Sequence, residues 1–353
     1  MSNFTEFLKK KNIDISAKRY GIDAMGAMAQ GLFASLLIGT IISTLGSQLG
    51  IAFLEEAGGF AKSVAGPAMA VSIGYALNAP QLVLFSLISI GAAANSLGGA
   101  GGPLAVYFIT IFACECGKAV SKETKVDILV TPGVTILVGY LFCVLLAPAI
   151  GNAASALGTL IMWATELHPL EMGILVSVLV GVALTLPISS AAICAALGLC
   201  GLAGGAAVAG CSAQMIGFAV ISFRENGIGG LLSQGLGTSM LQMPNIIKNP
   251  RIWLPPTLAS AITGPLATVV FKLQMNGAPI SSGMGTCGLV GQIGVYTGWI
   301  NDIASGAKAG IVPMDWIGLI LVSFILPAIL SLAFYELERH IGWIHDGDLK
   351  LNG

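Results

Sequence analysis

Three ionisable residues, Glu166, His168 and Glu171, stand close together between two apolar stretches of the chain. Ionisable groups at or inside the edge of a membrane are costly, and for that reason they often have a function. If Pro169 opens a helix, His168 and Glu171 share one helical face. Such a set could hydrogen-bond sugar hydroxyls or relay a proton. An ordinary helix start, with Glu171 favouring the positive helix N-terminus, explains the same residues, and both interpretations stay open.

Neutral polar residues form the second set of candidates. All but one stand in two glycine-rich stretches, 95–103 and 276–294, which contain no charged residue. The exception, Gln214, stands in a segment of small and apolar residues. Neutral hydrogen-bonding groups suit a polyhydroxyl ligand, whereas a dense ring of acids would suit cations. We therefore expect a solute-binding site composed of Asn276, Ser281, Ser282, Thr286, Asn95, Ser96 and Gln214, completed by Glu166, His168 and Glu171.

Two kinds of structure could produce the glycine-rich stretches. Small residues let helices pack closely, whereas a broken or re-entrant segment leaves backbone groups free to line a polar cavity. Close packing does not require Asn276, Pro279 and a pair of serines together. For 276–294 we therefore favour a re-entrant segment, while a sharp loop between two spans explains 95–103 equally well.

The elements that must position these residues are transmembrane helices. Hydrophobic residues make up 55% of the 353-residue chain and charged residues only 9%, whereas soluble domains have about 25% charged residues. Too little charge is present to cover a globule of this size, so much of the surface must face hydrocarbon. The net charge of −1 gives no indication of nucleic-acid binding.

A helix needs about 20 apolar residues to cross the bilayer core. Apolar stretches that reach or approach this length predict an all-α integral membrane protein with about ten spans, at 26–49, 61–77, 80–95, 103–120, 128–150, 170–187, 189–207, 208–223, 256–272 and 316–335. Basic and apolar residues alternate irregularly in 1–20, which predicts an amphipathic helix at the lipid surface and a cytoplasmic N-terminus. Arg224, Lys248 and Arg251 mark a further cytoplasmic loop by the same rule.

No soluble catalytic motif is present. The chain lacks the Walker A, HExxH, GxSxG and dinucleotide-binding patterns. Its seven cysteines lie in apolar or glycine-rich sequence, with no histidine at metal-ligand spacing. We therefore expect no catalytic residue, metal site or cofactor in this chain.

The chain resembles the phosphotransferase-system IIC-like membrane proteins, the group that includes the perfringolysin-regulator membrane proteins. Three runs carry the resemblance: SFRENGIGGLLSQGLGTSMLQMPNIIKNPRIWLPPTLASAITGPLA, then NGAPISSGMGTCGLVG, and GKAVSKETKVDILVTPGVTILVG at 117–139. The likeness extends over most of the chain. The histidine and glutamate that mark the site of sugar IIC proteins have no assured counterpart here, so His168 and Glu171 are candidates by chemistry only.

The resemblance implies a homodimer of the glucose-superfamily type and an elevator-like transport movement. It divides the chain into an interfacial helix at 1–20, a scaffold and dimerisation half at 21–165, a transport half at 166–345 with a re-entrant hairpin near 276–294, and a tail at 346–353. Phosphoryl transfer would need separate IIB and IIA partners, because this chain has no such domain.

These observations lead to one main functional hypothesis and two alternatives. The main hypothesis is a IIC-type permease in the bacterial cytoplasmic membrane that carries a small polar solute, a sugar or a related metabolite. The alternatives are an ion- or proton-coupled transporter that works without phosphorylation, and a membrane sensor with the same fold.

Overall fold

The computed structural model describes residues 3–351, and these residues form helices and connecting turns without a β-sheet. They belong to two compact units, one ending at Ala153 and the other beginning at Ala154. This boundary falls inside the longest helix. The boundary at 165/166 between a scaffold half and a transport half remains a prediction.

The first unit consists of helices joined by tight turns and short π-helical turns. Their bounds are α1 Asn3–Lys10, α2 Met25–Leu32, α3 Ile38–Leu49, α4 Ala52–Ser63, α5 Ala65–Ala76, α6 Gln81–Gly98, α7 Gly102–Val120 and the first part of α8 Asp127–Thr165.

The glycine-rich stretch 95–103 contains the end of α6, the turn that follows it and the start of α7. Gly99 adopts a left-handed conformation (φ 50°), which glycine tolerates without a steric penalty, and a single 3₁₀ turn at Gly99–Gly101 connects the two helices. Helices α5, α6 and α7 pack against one another. A tight turn of this kind fits both a loop between two spans and a re-entrant segment, so both remain predictions for 95–103.

A buried lysine fixes the N-terminal segment onto this unit. Helix α1 ends at Lys10, and the chain that follows reaches Lys118 of α7. The Lys118 ammonium donates to the carbonyls of Asn12 (2.6 Å) and Leu77 (3.0 Å) and pairs with Glu115 at 2.9 Å. A buried charge is tolerated because it is paired and hydrogen-bonded. Contact of 1–20 with a lipid surface remains a prediction.

The second unit is arranged around one central helix, α11. The bounds of its helices are the rest of α8, then α9 Pro169–Thr185, α10 Ser190–Ala196, α11 Gly201–Ile221, α12 Phe223–Leu232, α13 Met243–Lys248, α14 Leu254–Pro265, α15 Val290–Ala304, α16 Pro313–Ile320 and α17 Leu326–His340. Helix α11 packs against α9, α14 and α17. Close approach to α9 requires a glycine, since a Cβ atom on Gly210 would collide with the carbonyl of Ser177.

Five stretches of the described residues are long and apolar enough to cross a membrane: Arg19–Leu49, Gln81–Val120, Asp127–Thr165, Gly201–Ile221 and Pro313–His340. Other helices are short; α4, α5 and α14 have 12 residues each. At about 1.5 Å per residue, such a helix is too short for a bilayer core about 30 Å thick. Ten spans and a homodimer therefore remain predictions.

Candidate functional site

The stretch that contains Asn276 forms one side of a hairpin, which we define as residues 274–304. Its descending arm, 274–286, is irregular and contains a 3₁₀ turn at Pro279–Gly283, and its ascending arm is α15. The descending arm begins beside the first residue of α11, because Gly201 and Met275 exchange two backbone hydrogen bonds (3.0 and 3.1 Å). The ascending arm ends there too, where the Asn276 amide donates to Asp302 Oδ2 at 2.8 Å.

The tip of the hairpin lies near the middle of α11. Gly285 lies so close to Cys211 that a Cβ atom on it would be 2.6 Å from the Cys211 Cβ. On the ascending side, the Gln292 amide donates to Ser212 Oγ at 3.2 Å. Cys211 follows Gly201 by ten residues, or about 15 Å along the helix. The chain therefore runs halfway down α11 and returns to the end at which it started.

The two arms of the hairpin approach closely because one face of α15 is glycine. Gly291, Gly294 and Gly298 follow one another at helical spacing, so they share a face. A Cβ atom on Gly294 would be 2.5 Å from the Cβ of Ser281 on the other arm, and one on Gly298 would be 2.7 Å from the backbone nitrogen of Asn276. Close packing of small residues and a broken segment therefore occur together.

Three hydroxyl groups anchor the hairpin to its surroundings. Ser282 donates to the carbonyl of Leu199 (2.6 Å), and Thr286 donates to the carbonyl of Gly235 (2.6 Å). Ser190, in α10, donates to the carbonyl of Gly283 (2.7 Å). The protons of these groups are engaged by the protein, so only their lone pairs are left for a ligand.

Gln292 is a candidate that the sequence analysis missed. Its side chain is only 9% exposed, and its Oε1 atom has no hydrogen-bond partner among residues 3–351. An unsatisfied buried acceptor costs about 1–3 kcal/mol, so the position is suited to accept a proton from a solute hydroxyl. A polar residue in the apolar run GLVGQIGV was the available signal.

A cavity of about 250 Å³ lies beside the open end of the hairpin. It is lined by Lys272, Leu273, Gln274, Asn276, Trp299, Asp302, Ala307, Lys308 and Asp315. The sequence analysis found Asn276 but missed the four charged residues, because they lie on either side of the uncharged stretch 276–294. Lys308 pairs with Asp315 at 2.8 Å and lies 5.5 Å from the centre of the Trp299 ring.

The sequence model of the family described as "Phosphotransferase system, EIIC" matches residues 22–351. This chain belongs to that family. Membership implies a multi-pass, membrane-embedded transporter that works with IIA and IIB components, and it confirms the resemblance seen in the sequence. No curated protein and no solved structure matches the chain significantly.

In this EIIC protein Gln214 belongs to a buried hydrogen-bond network. Its Oε1 accepts from Trp253 Nε1 (2.9 Å) and Thr185 Oγ1 (3.2 Å), and its amide donates to Thr257 Oγ1 (3.1 Å). Thr185 in turn shares a hydrogen bond with Ser239 at 2.7 Å. The side chain therefore holds α9, α11 and α14 together, and its contact with a solute remains a prediction.

The acidic and histidine candidates of the EIIC chain lie at the start of α9. Glu166, His168 and Glu171 are all exposed, with His168 at the N-cap position and Glu171 in the first turn. Thr268 donates to the carbonyl of Pro169 at 2.6 Å, which ties this helix start to the segment just before Lys272. An ordinary helix start is the local structure here, and a role in solute binding remains a prediction.

The remaining candidates belong to different parts of the EIIC chain. Ser281 is buried between the two hairpin arms. Asn95 and Ser96 lie near the C-terminal end of α6, in the first unit. Their participation in one solute site with the hairpin remains a prediction.

Proposed function

We propose that this EIIC protein is a permease that carries a small polar solute, a sugar or a related metabolite, across the bacterial cytoplasmic membrane. One observation carries the proposal: the hairpin reaches halfway along α11 and returns, between a polar cavity at its open end and the unpaired Oε1 of Gln292 near its tip. Broken segments of this kind form solute sites near the midplane of secondary transporters.

The dimensions of α11 support a membrane position for the hairpin. Its 21 residues correspond to about 32 Å of helix, which matches a hydrocarbon core about 30 Å thick. If α11 crosses the bilayer, the tip at Cys211 lies near its midplane. Irregular backbone is tolerated at that depth only where protein or a polar cavity surrounds it, and the buried hydroxyl bonds of Ser282 and Thr286 meet this condition.

Basic residues support an orientation for this unit. Arg224, Lys248 and Arg251 follow the C-terminal end of α11, which the positive-inside rule places in the cytoplasm. The C-terminal tail lies at the same end, because the amide of Asn226 donates to the carbonyl of Leu349 at 2.9 Å. The cavity and the open end of the hairpin would then face the outside, where a solute arrives.

Transport would follow from movement of the hairpin unit relative to a scaffold. We infer that residues 166–345 carry the solute and that residues 21–165 form the scaffold and the dimer, with the N-terminus in the cytoplasm. A separate IIB partner would supply the phosphoryl group on the cytoplasmic side. The side chains of Gln292, Asn276, Ser282 and Thr286 would bind the solute by hydrogen bonds, completed by the other predicted residues.

Purified protein in liposomes tests the proposal. Labelled candidate solutes are supplied outside, with phosphorylated IIB, with unphosphorylated IIB, or with a proton or sodium gradient. We expect a phosphorylated solute inside only with phosphorylated IIB. Uptake that follows an ion gradient instead would favour a coupled secondary transporter, and binding without any flux would favour a sensor.

A pair of glycine substitutions tests the part played by the hairpin. Gly294→Ala forces the two arms apart, because its Cβ would meet Ser281, whereas Gly59→Ala on α4 enters open space. We expect the first variant to lose uptake and the second to retain it. Equal uptake by both variants would contradict a role for the hairpin in transport.

A further inference from the structure

We propose that the cavity beside the hairpin selects a zwitterionic solute, with its ammonium group bound by Asp302 and its anionic group bound by Lys272. The inference rests on the proposed function and names the class of solute that the cavity at the open end of the hairpin admits, before the solute reaches Gln292 near the tip. It departs from the neutral sugar that the uncharged stretch 276–294 alone would favour.

Two of the four charges around the cavity neutralise each other. Lys308 and Asp315 form an ion pair at 2.8 Å, and the Lys308 ammonium also lies over the Trp299 ring. This pair stabilises the turn between α15 and α16 and has little charge left for a ligand.

The other two charges are unpaired. The Asp302 carboxylate accepts one hydrogen bond, from the neutral amide of Asn276 at 2.8 Å. Lys272 forms no ion pair or hydrogen bond with any other residue of the described range 3–351. Asp302, which is half-buried, and Lys272, which is exposed, therefore both belong to the lining of this cavity and form no ion pair with each other.

The backbone fixes the position from which each of these side chains extends. Asn276, which holds Asp302, is itself held by the backbone N–H of Gly201, which donates to its Oδ1 at 3.1 Å. Lys272 lies at a left-handed backbone position (φ 47°), which is uncommon for a residue with a side chain. Residues held in sparsely populated conformations occur often at ligand-binding sites.

A solute with both charges would complete the site. The cavity of about 250 Å³ is slightly smaller than the range of about 300–1,000 Å³ that is usual for ligand pockets, which suits a single substituted ring. A neutral sugar would leave Asp302 and Lys272 without charged partners. Hydrogen bonds between charged groups are the stronger ones, so each matched charge should tighten binding by about 10- to 100-fold.

Four pyranoses that differ only in their groups at C2 and C6, and therefore in charge, test this inference. They are glucose (neutral), glucosamine (cationic), glucuronate (anionic) and 2-amino-2-deoxyglucuronate (zwitterionic). Their dissociation constants are measured by calorimetry on the full-length protein in a non-ionic detergent, for the wild type and for Asp302→Asn and Lys272→Asn. Asparagine is chosen at 272 because it tolerates the left-handed backbone. The controls are Asp23→Asn and Lys125→Asn, at exposed positions of the first unit.

We expect the zwitterion to bind most tightly. Asp302→Asn should remove the advantage of the amino group, and Lys272→Asn should remove the advantage of the carboxylate, each by about 10- to 100-fold. The controls should change neither preference. Equal affinity for all four sugars, the absence of any binding, or a loss that Asp302→Asn causes equally for all four would overturn the inference.

A lipid headgroup is the other source of this charge pair. Glycerophosphoethanolamine is therefore titrated in parallel, and tighter binding of it than of the zwitterionic sugar would overturn the assignment of a transported solute. Failure of the proposed function is distinguishable. Equal uptake of all four sugars, with Asp302→Asn and Lys272→Asn changing none of them, would end the inference and leave the permease, whereas tight binding of the zwitterion without flux would end the permease and leave the inference.

Discussion

Replacement of Gln292 by methionine should have opposite effects on stability and on transport. Its Oε1 is buried without a partner, and its amide makes one hydrogen bond, to Ser212 at 3.2 Å. Removal of the unsatisfied acceptor gains about 1–3 kcal/mol, and loss of an ordinary hydrogen bond costs about 0.5–1.5 kcal/mol. Methionine fills a similar volume and has a similar helix propensity.

The net effect should lie between a loss of about 0.5 and a gain of about 2.5 kcal/mol of stability. For a unit of this size, the upper value corresponds to an increase in Tm of about 5–10 °C. The free energy of unfolding is measured by thermal and denaturant unfolding of the detergent-solubilised protein. Uptake into liposomes should fall by about tenfold or more, because the solute loses one hydrogen-bond acceptor.

Gln234→Met is the matched control. Gln234 is also buried, but its amide donates to Ser222 (2.8 Å) and to the carbonyl of Gly230 (2.9 Å), and its Oε1 accepts from Gln242 (2.9 Å). The same substitution there should cost about 3 kcal/mol, since it leaves several buried groups unpaired. A loss of more than about 1 kcal/mol in Gln292→Met would refute the reasoning, because Oε1 would then have a stabilising partner in the solute-free protein.

Three further predictions follow from local geometry. Thr286→Val should lower the free energy of unfolding by about 1–3 kcal/mol, because it leaves the carbonyl of Gly235 without its donor. The control Thr135→Val loses only a hydrogen bond within its own helix and should lower it by less than about 1 kcal/mol. Equal losses in the two variants would contradict this prediction. The backbone N–H groups of Gly347 and Leu349 donate hydrogen bonds to the Glu225 carboxylate at 3.0 and 3.2 Å. Glu225→Gln should therefore speed hydrogen exchange at these two amides, and unchanged exchange would argue against the contact. The hydrogen bond from Lys11, and then the charge of Lys10, hold the pKa of Glu123 below its ordinary value of 4.5. A lowered pKa stabilises the folded form above pH 4.5, and the effect is lost as the pH falls through the lowered value. The protection factors of the α1 amides, which correct for the intrinsic exchange rate at each pH, should therefore fall in acid, and a Glu123→Gln protein should show no such pH dependence.

Much of the fold class was predictable, because long apolar stretches and a low content of charged residues indicate directly that the protein surface faces lipid. The break at 276–294 was also visible, since proline, asparagine and paired serines are incompatible with a uniformly apolar helix. The glycines of α15 fitted both close packing through small residues and a broken segment, and the structure contains both.

The candidate site was only partly predictable. The sequence does not show whether the hydroxyl groups of Ser282 and Thr286 bind a solute or a backbone carbonyl. Their hydrogen-bond partner depends on which groups the fold places beside them. Lys272 and Asp302 lie far apart in the sequence and come together because the hairpin returns to its starting point. The lack of a hydrogen-bond partner for Gln292 Oε1 results from packing, and the residue type alone could not predict it.

The sidedness of the hairpin tests the central claim most directly. Single cysteines at the exposed positions Gln274 and Ser305, in a variant without the native cysteines, are labelled in intact cells by a membrane-impermeant maleimide. The account predicts that both react from outside, while a cysteine in place of Lys350 reacts only after the membrane is opened. Reaction of Gln274→Cys and Ser305→Cys from opposite sides would mean that 274–304 crosses the membrane, and would contradict the account.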